Sequence, residues 1–275
     1  MATTTYELTI KPRSGWQPID LGDIWRYREL LGILVWRDIK VRYKQTALGS
    51  IWAIIQPLIG MMVFGVLLTR VTNFSVDGPP YPLFIFAGLV PWTFFANSIS
   101  IAGNSLVSSE QMIRKIYFPR VLVPLASIIA LGLDMLVSLG FLGILMVFYG
   151  WPVTPALLSL PFFLIGTIFA TSGLGLFLAA VNVQYRDVKY IVPFFTQMAL
   201  FITPVIYPMT RVPPRFRLLF ALNPMSGMVE GFRFAVLGTP VFWPLVWISV
   251  AVCAALLLTG LFVFKRVERN FADII

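Results

Sequence analysis

The sequence predicts an all-α integral membrane protein of six spans. An N-terminal amphipathic helix precedes the first span at the inner interface, and re-entrant outer helices lie between spans five and six. Three observations predict this. Of 275 residues, 58% are apolar and 12% charged, with a mean hydropathy of +0.85; a soluble domain carries roughly twice that charged fraction. The apolar residues gather into runs of about 20, enough helix to cross a hydrocarbon core of about 30 Å. The basic residues flank those runs unevenly.

Residues 1–22, with Pro12, Ser14, Gly15 and Pro18, read as a flexible cytoplasmic arm, and residues 23–275 as one transmembrane domain. Within the interface helix, 23–46, Arg26, Glu29, Arg37, Lys40 and Lys44 fall near one face, and Ile24, Tyr27, Leu31, Val35 and Ile39 populate another. Asp38 and Arg42 are spaced to pair, and Trp25, Trp36 and Tyr43 suit headgroup depth. Such a helix lies in the inner interface, as a partner's docking surface or as a plain anchor. Spans follow at about 50–69, 81–103, 121–149, 156–181, 191–207 and 242–264, the third being the longest. With the amino terminus inside, sixteen Lys and Arg fall on inner segments and five (Arg70, Arg211, Arg215, Arg217 and Arg233) on outer ones. Both termini are therefore expected in the cytoplasm.

The long outer segment, 208–241, mixes Phe, Leu, Met and four arginines with Pro208, Pro213, Pro214, Pro224 and Pro240. It is too apolar for a disordered loop and too interrupted for a seventh span. Short helices dipping into the outer leaflet would bury Phe216, Leu218, Leu219 and Phe220.

Composition excludes several chemistries. There is no histidine and a single cysteine, Cys253, so His-based catalytic triads, intrachain disulfides and His/Cys metal sites are ruled out. The net charge of +9 lies beside apolar segments and forms no basic–aromatic groove, so it does not indicate nucleic acid. No cleavable secretory signal is expected at the amino terminus. No Walker A pattern occurs, so any ATP hydrolysis belongs to another polypeptide.

Two inner loops can meet a soluble partner or merely connect spans. The first, 108–120, reads as a short helix capped by Ser109 and ended by Pro119, carrying Glu110, Arg114, Lys115 and Tyr117. The second, 182–189, carries Tyr185, Arg186 and Asp187. Asp134, mid-way along the third span, is a functional candidate by default. The residues around it favour a structural carboxylate accommodated by Ser127, Ser138 and backbone carbonyls over a relay or substrate contact. No companion ionisable residues suggest a proton relay. Trp52, Phe94, Phe95, Tyr207, Phe216 and Phe220 complete the passage or gate candidates, because aromatic faces stack on sugar C–H groups.

The run Arg37–Thr46, followed by Leu48-Gly49-Ser50-Ile51-Trp52 and Gln56-Pro57, resembles the amino-terminal signature of ABC-2 permeases, nearest to the branch that exports O-antigen, teichoic acid and related polysaccharides. Similar too are Ile113–Pro119, Tyr185–Val188, Thr203–Pro208 and Asn223-Pro224-Met225, in the family's order. The resemblance implies a homodimer bound to two copies of an ATPase subunit, which holds the ATP and Mg; this chain would carry no cofactor. It implies a bacterial inner-membrane location and a cargo of undecaprenyl-diphosphate-linked glycan. Residues 108–119 would be the main coupling helix, 182–190 a second contact and 208–241 the outer gate. Arg37, Lys40, Arg42 and Lys44 would lie near lipid headgroups, where the first three can attract the lipid diphosphate. An ABC-2 exporter of a small lipophilic drug or lipid is the alternative, and a membrane glycosyl- or acyltransferase a remote one.

Overall fold

A computed structural model describes residues 21–44, 49–67 and 78–268. The predicted arm up to residue 20, residues 45–46 of the interface helix and the outer end of the first span lie outside the described residues, as do Arg70, Asp77 and Arg269. Every regular element among the described residues is helical: α1 (Leu21–Arg26), α2 (Arg28–Tyr43), α3 (Trp52–Val66), α4 (Tyr81–Ser108), α5 (Glu110–Lys115), α6 (Leu122–Phe148), α7 (Leu160–Gln184), α8 (Val188–Ile202), α9 (Pro214–Ala221), α10 (Pro224–Leu237) and α11 (Trp243–Glu268).

Four helical stretches are long and apolar enough to cross a membrane: Tyr81–Ser108, Leu122–Phe148, Pro155–Gln184 and Trp243–Glu268. They match the second, third, fourth and sixth expected spans. The first and fifth correspond to α3 and α8, apolar helices of 15 residues each. The described part of each is about 22 Å of helix; α8 falls short of the hydrocarbon thickness, while residues 68–77, beyond α3, lie outside the described ones. The end of α8 has a local cause: Thr203 precedes Pro204 and is extended (φ −81°, ψ 140°), as the proline ring requires. Among the described residues the longest helical stretch is Pro155–Gln184 at 30 residues, with α4 at 28 and α6, expected to be the longest, at 27.

α4 is the centre of the body, packed against α3, α6, α7, α8 and α10. Its most apolar window is 72% buried, against 22% for α11, which is therefore peripheral. α7 and α11 approach through glycine: a Cβ at Gly260 would strike the Gly173 carbonyl, and one at Gly173 would strike the backbone at Leu256. Without lipid-driven segregation between helices, such small-residue contacts carry the packing.

The interface helix departs from expectation. It breaks at Tyr27 (φ −95°, ψ 20°) into α1 and α2, and α2 packs on α6. Ile24, Tyr27, Leu31 and Val35 of the expected apolar face pack against the cluster that buries Leu34, and Arg26, Glu29, Lys40 and Lys44 of the expected polar face are exposed. Leu34 is buried, but Trp25, Ile33, Trp36 and Val41 are exposed, while Arg37, Asp38 and Arg42 turn inward. Within the polar set the departure is confined to those three charges, whose tertiary partners draw them from the surface.

Candidate functional site

On the face carrying α5, the predicted coupling residues divide into a buried footing and an exposed tip. α5 is six residues long, with Ile113 buried and Glu110 paired to Arg114 at 2.7 Å. Ser109 stands at its N-terminus but makes no capping hydrogen bond, and the helix ends at Lys115, ahead of Pro119. Tyr117 is 95% exposed, while the next residue, Phe118, is buried in a cluster with Leu106, Val121, Val183 and Phe264. Arg120 fastens this loop to α11, its main-chain N–H and Nη1 donating to Glu268 Oε1 (3.2 Å) and to the Glu268 carbonyl (2.9 Å). The second loop is only Tyr185–Asp187, and all three side chains are exposed. Asn182, expected in that loop, is a buried α7 residue whose Nδ2 donates to the Gly103 carbonyl at 3.0 Å.

The structure gives Asp134 partners other than those the sequence suggests. Tyr43 donates its hydroxyl to one carboxylate oxygen, and Arg42 Nε lies 3.5 Å from the other. Ser127 instead donates to Asp38 Oδ2 (2.9 Å), and Ser138 to the Ala53 carbonyl (2.9 Å). The expected Asp38–Arg42 pair gives way to Arg37–Asp38 (2.7 Å), so Arg42 is delivered to Asp134. The end of α2 is thereby clasped to the middle of α6.

Beside this clasp lies a cavity of about 230 Å³, lined by Arg42, Trp52, Gln56, Phe94, Asn97 and Asp134 among others. Trp52, Phe94 and Asp134 thus come together. Phe95 instead packs with Trp92 at 5.8 Å between ring centres, in a different cluster. Tyr207 donates to the Phe201 carbonyl (3.0 Å) near α9 and α10, and Phe220 packs with Met209 and Leu245. A larger recess of about 660 Å³, with Arg37, Asp38, Ser105, Ser108 and Gln111 in its wall, adjoins α5 and shares Arg42.

The outer segment contains two helices, α9 and α10, which differ in how far the protein itself encloses them. Phe216, Leu218 and Leu219 are exposed on α9, with Arg215 over the Phe216 ring at 4.7 Å. It is α10 that is enclosed, including the two charges Glu230 and Arg233. Arg233, counted from sequence as an outer-face cation, is fully buried. It donates to the carbonyls of Phe84 (3.1 Å), Pro204 (2.7 Å) and Val205, stacks over the Phe84 ring at 3.7 Å and lies 3.7 Å from Glu230. Glu230 in turn accepts from the Met209 N–H at 3.0 Å, and Tyr81 donates to the Ile206 carbonyl at 2.9 Å. The segment after α8 has no helical ladder, so its carbonyls need outside donors. Arg233 and Tyr81 supply them. Asn223 completes the joint: Oδ1 caps the Met225 N–H (3.0 Å) and Nδ2 donates to Thr203 Oγ1 (2.7 Å). At the far end, α10 stops at Gly238, whose left-handed φ of 68° suits glycine.

The Thr203–Pro208 and Asn223–Met225 motifs are thus two halves of one joint. The sequence reading missed Arg233 and Glu230, although opposite charges three apart in an apolar, glycine-containing run are a legible sign of an internal pair.

Four helical stretches long and apolar enough to cross a membrane, packed around α4 with a cavity beside the α2–α6 clasp, define the frame of a polytopic membrane protein. The chain belongs to the ABC-2 type transporter family, whose model matches residues 29–237. It is 31% identical to the O-antigen export system permease protein RfbA of Myxococcus xanthus over 256 residues, covering 91% of this chain and 97% of that protein. It is 28% identical to the protein of the same name from Klebsiella pneumoniae over 252 residues, covering 90% and 95%. To the polysialic acid transport protein KpsM of Escherichia coli it is 25% identical over 208 residues, covering 73% and 78%. The family read from the motifs is borne out.

Proposed function

We propose that the chain is the membrane-spanning subunit of an ATP-driven exporter that moves a lipid-linked polysaccharide across a bacterial cytoplasmic membrane. The observation that carries this reading is the near end-to-end similarity to permeases named for O-antigen export. Two copies of the chain assemble with two copies of an ATPase subunit, which binds ATP and Mg. Both termini are cytoplasmic, in keeping with the sixteen-to-five charge distribution. α3 and α8 then count as spans alongside the four longer helices.

Tyr117, Arg114, Lys115 and Glu110, with Tyr185, Arg186 and Asp187, form the surface that meets the ATPase. Closure of the ATPase on ATP moves these tips, and the Arg120–Glu268 fastening passes the movement into α11. Lys40 and Lys44, exposed on α2, meet lipid headgroups; Arg37 and Arg42 are engaged by carboxylates. The cargo is a glycan on undecaprenyl diphosphate. Its hydroxyls cannot enter hydrocarbon unaided, since each unpaired polar group costs several kcal/mol, so the passage must be lined by protein.

The similarity to permeases named for O-antigen export and polysialic acid transport disfavours the small-molecule alternative. The glycosyl- or acyltransferase reading loses its acids, since Asp134 and Glu230 are each held by an arginine. The test is a strain deleted for this chain. It should accumulate lipid-linked glycan on the cytoplasmic side and lose the surface polymer; an unchanged surface would refute the assignment.

A further inference from the structure

We infer that the cavity between α2, α3, α4 and α6 is a recognition site for one neutral sugar unit, within each copy of the chain. The inference rests on the reading that the cargo is a glycan, and adds to it a place where that glycan is read.

The argument begins with the cost of the cavity. Asp134 lies near the middle of a spanning helix, where polar groups are expensive and are normally sealed by packing. Here the Arg42–Asp134 pair borders about 230 Å³ of open space, walled by Gln56, Asn97, Trp52 and Phe94. The wall is more apolar than polar, with Ala53, Leu131 and Met135 completing it around a few convergent polar groups, the make-up of a site for an amphipathic ligand.

The chemistry of the wall narrows the occupant. A carboxylate offers about four lone-pair positions and a guanidinium five N–H donors. Among the described residues, Tyr43 and Arg42 use two of those positions on Asp134. Gln56 and Asn97 hold each other at 3.1 Å, a contact that two vicinal hydroxyls can replace bond for bond. Trp52, 53% exposed, presents an indole beside these groups, while Phe94 closes the buried end. Carboxylate, guanidinium, paired amides and an aromatic face together match a pyranose, with hydroxyls at the rim and C–H groups on the ring face.

Charge then decides between sugar and diphosphate. The guanidinium is matched by the carboxylate at 3.5 Å, so the site has no surplus positive charge for an anion. A neutral hexose, N-acetylhexosamine or deoxyhexose fits; a diphosphate does not.

The experiment uses the full-length chain in lipid nanodiscs and a panel of methyl glycosides of those three classes, with inorganic phosphate as the charged comparison. Saturation-transfer NMR should report binding of a subset of the glycosides and none of phosphate. Trp52→Ala and Gln56→Ala change rim side chains and should each weaken binding about tenfold, the equivalent of one good contact, with the thermal unfolding midpoint unchanged. Absence of any glycoside signal, a signal undiminished in both variants, or preferential phosphate binding would overturn the inference. Failure of the export reading shows differently. A deletion strain that keeps its surface polymer would refute export while glycoside binding stood, whereas lost export without glycoside binding would overturn the cavity's role alone.

Discussion

Arg233 places Nη1 2.7 Å from the Pro204 carbonyl, across the joint between the outer helices and the end of α8. The same guanidinium reaches the Val205 carbonyl beside it and the Phe84 carbonyl of α4, so one side chain supplies donors that the proline-broken segment lacks and ties it to α4. Removing it takes the side-chain donor from the Pro204 and Val205 carbonyls and the opposite charge from Glu230, which keeps the Met209 N–H. Arg233→Met should cost about 3–5 kcal/mol, the range for stranding a buried charge. It should appear as a large drop in thermal midpoint or loss of the protein from the membrane fraction. Arg233→Lys, a single ammonium without the planar fork, should fall between. Adding Glu230→Gln to Arg233→Met should recover part of the loss, because the stranded carboxylate is gone.

Glycine tolerance separates close approach from open space. Gly173→Ala and Gly260→Ala should each destabilise, since a Cβ at either meets backbone across the α7–α11 contact. Gly88→Ala should do the same, because the methyl runs into the Arg233 guanidinium. Gly132→Ala and Gly140→Ala, with nothing within 4 Å of the added Cβ, should be neutral or stabilising by up to about 1 kcal/mol from helix propensity. Thermal unfolding in one detergent would rank all five.

The clasp between α2 and α6 predicts a graded series at Asp134. Asn keeps an oxygen for the Tyr43 hydroxyl but loses the charge facing Arg42, so Asp134→Asn should cost about 1–3 kcal/mol. Asp134→Leu removes both interactions and strands the guanidinium, so it should cost more, about 3–5 kcal/mol. Limited proteolysis around residue 44 would report release of α2 in the same order.

The contrast between Asp134 and Arg233 shows what the sequence could and could not reveal. Hydropathy placed the long helices well because lipid imposes apolar runs of fixed length, and the boundaries of α6 and α11 follow from that. Asp134 stood out because a lone acid in such a run is conspicuous. Arg233 did not, since it lies among proline-broken residues that also contain three exposed or half-exposed arginines. Its carbonyl partners carry no side-chain signature. The Asp38–Arg42 spacing was legible and misleading: local spacing permits a pair, but Ser127 and Asp134 from α6 compete for both residues. The shortness of α8 was foreshadowed by Pro204, although the apolar residues beyond it extended the hydropathy signal.

The α5 tip makes a prediction about assembly. Arg114→Glu with Lys115→Glu reverses two basic residues on a surface helix and breaks the 2.7 Å pair with Glu110. The double variant should insert normally yet fail to co-purify with the ATPase subunit. Full complex recovery and unimpaired export would remove this helix from the contact.

The central claim is that this chain, energised by a partner ATPase, carries lipid-linked glycan through the bilayer. Its most direct test is reconstitution of chain and ATPase in proteoliposomes, with undecaprenyl-diphosphate glycan in the leaflet facing the ATPase and a glycan-specific lectin reporting on the opposite leaflet. The account predicts lectin signal that requires ATP, the ATPase and this chain together. Appearance of glycan with the chain omitted, or none with the assembled and hydrolysing complex, would contradict it.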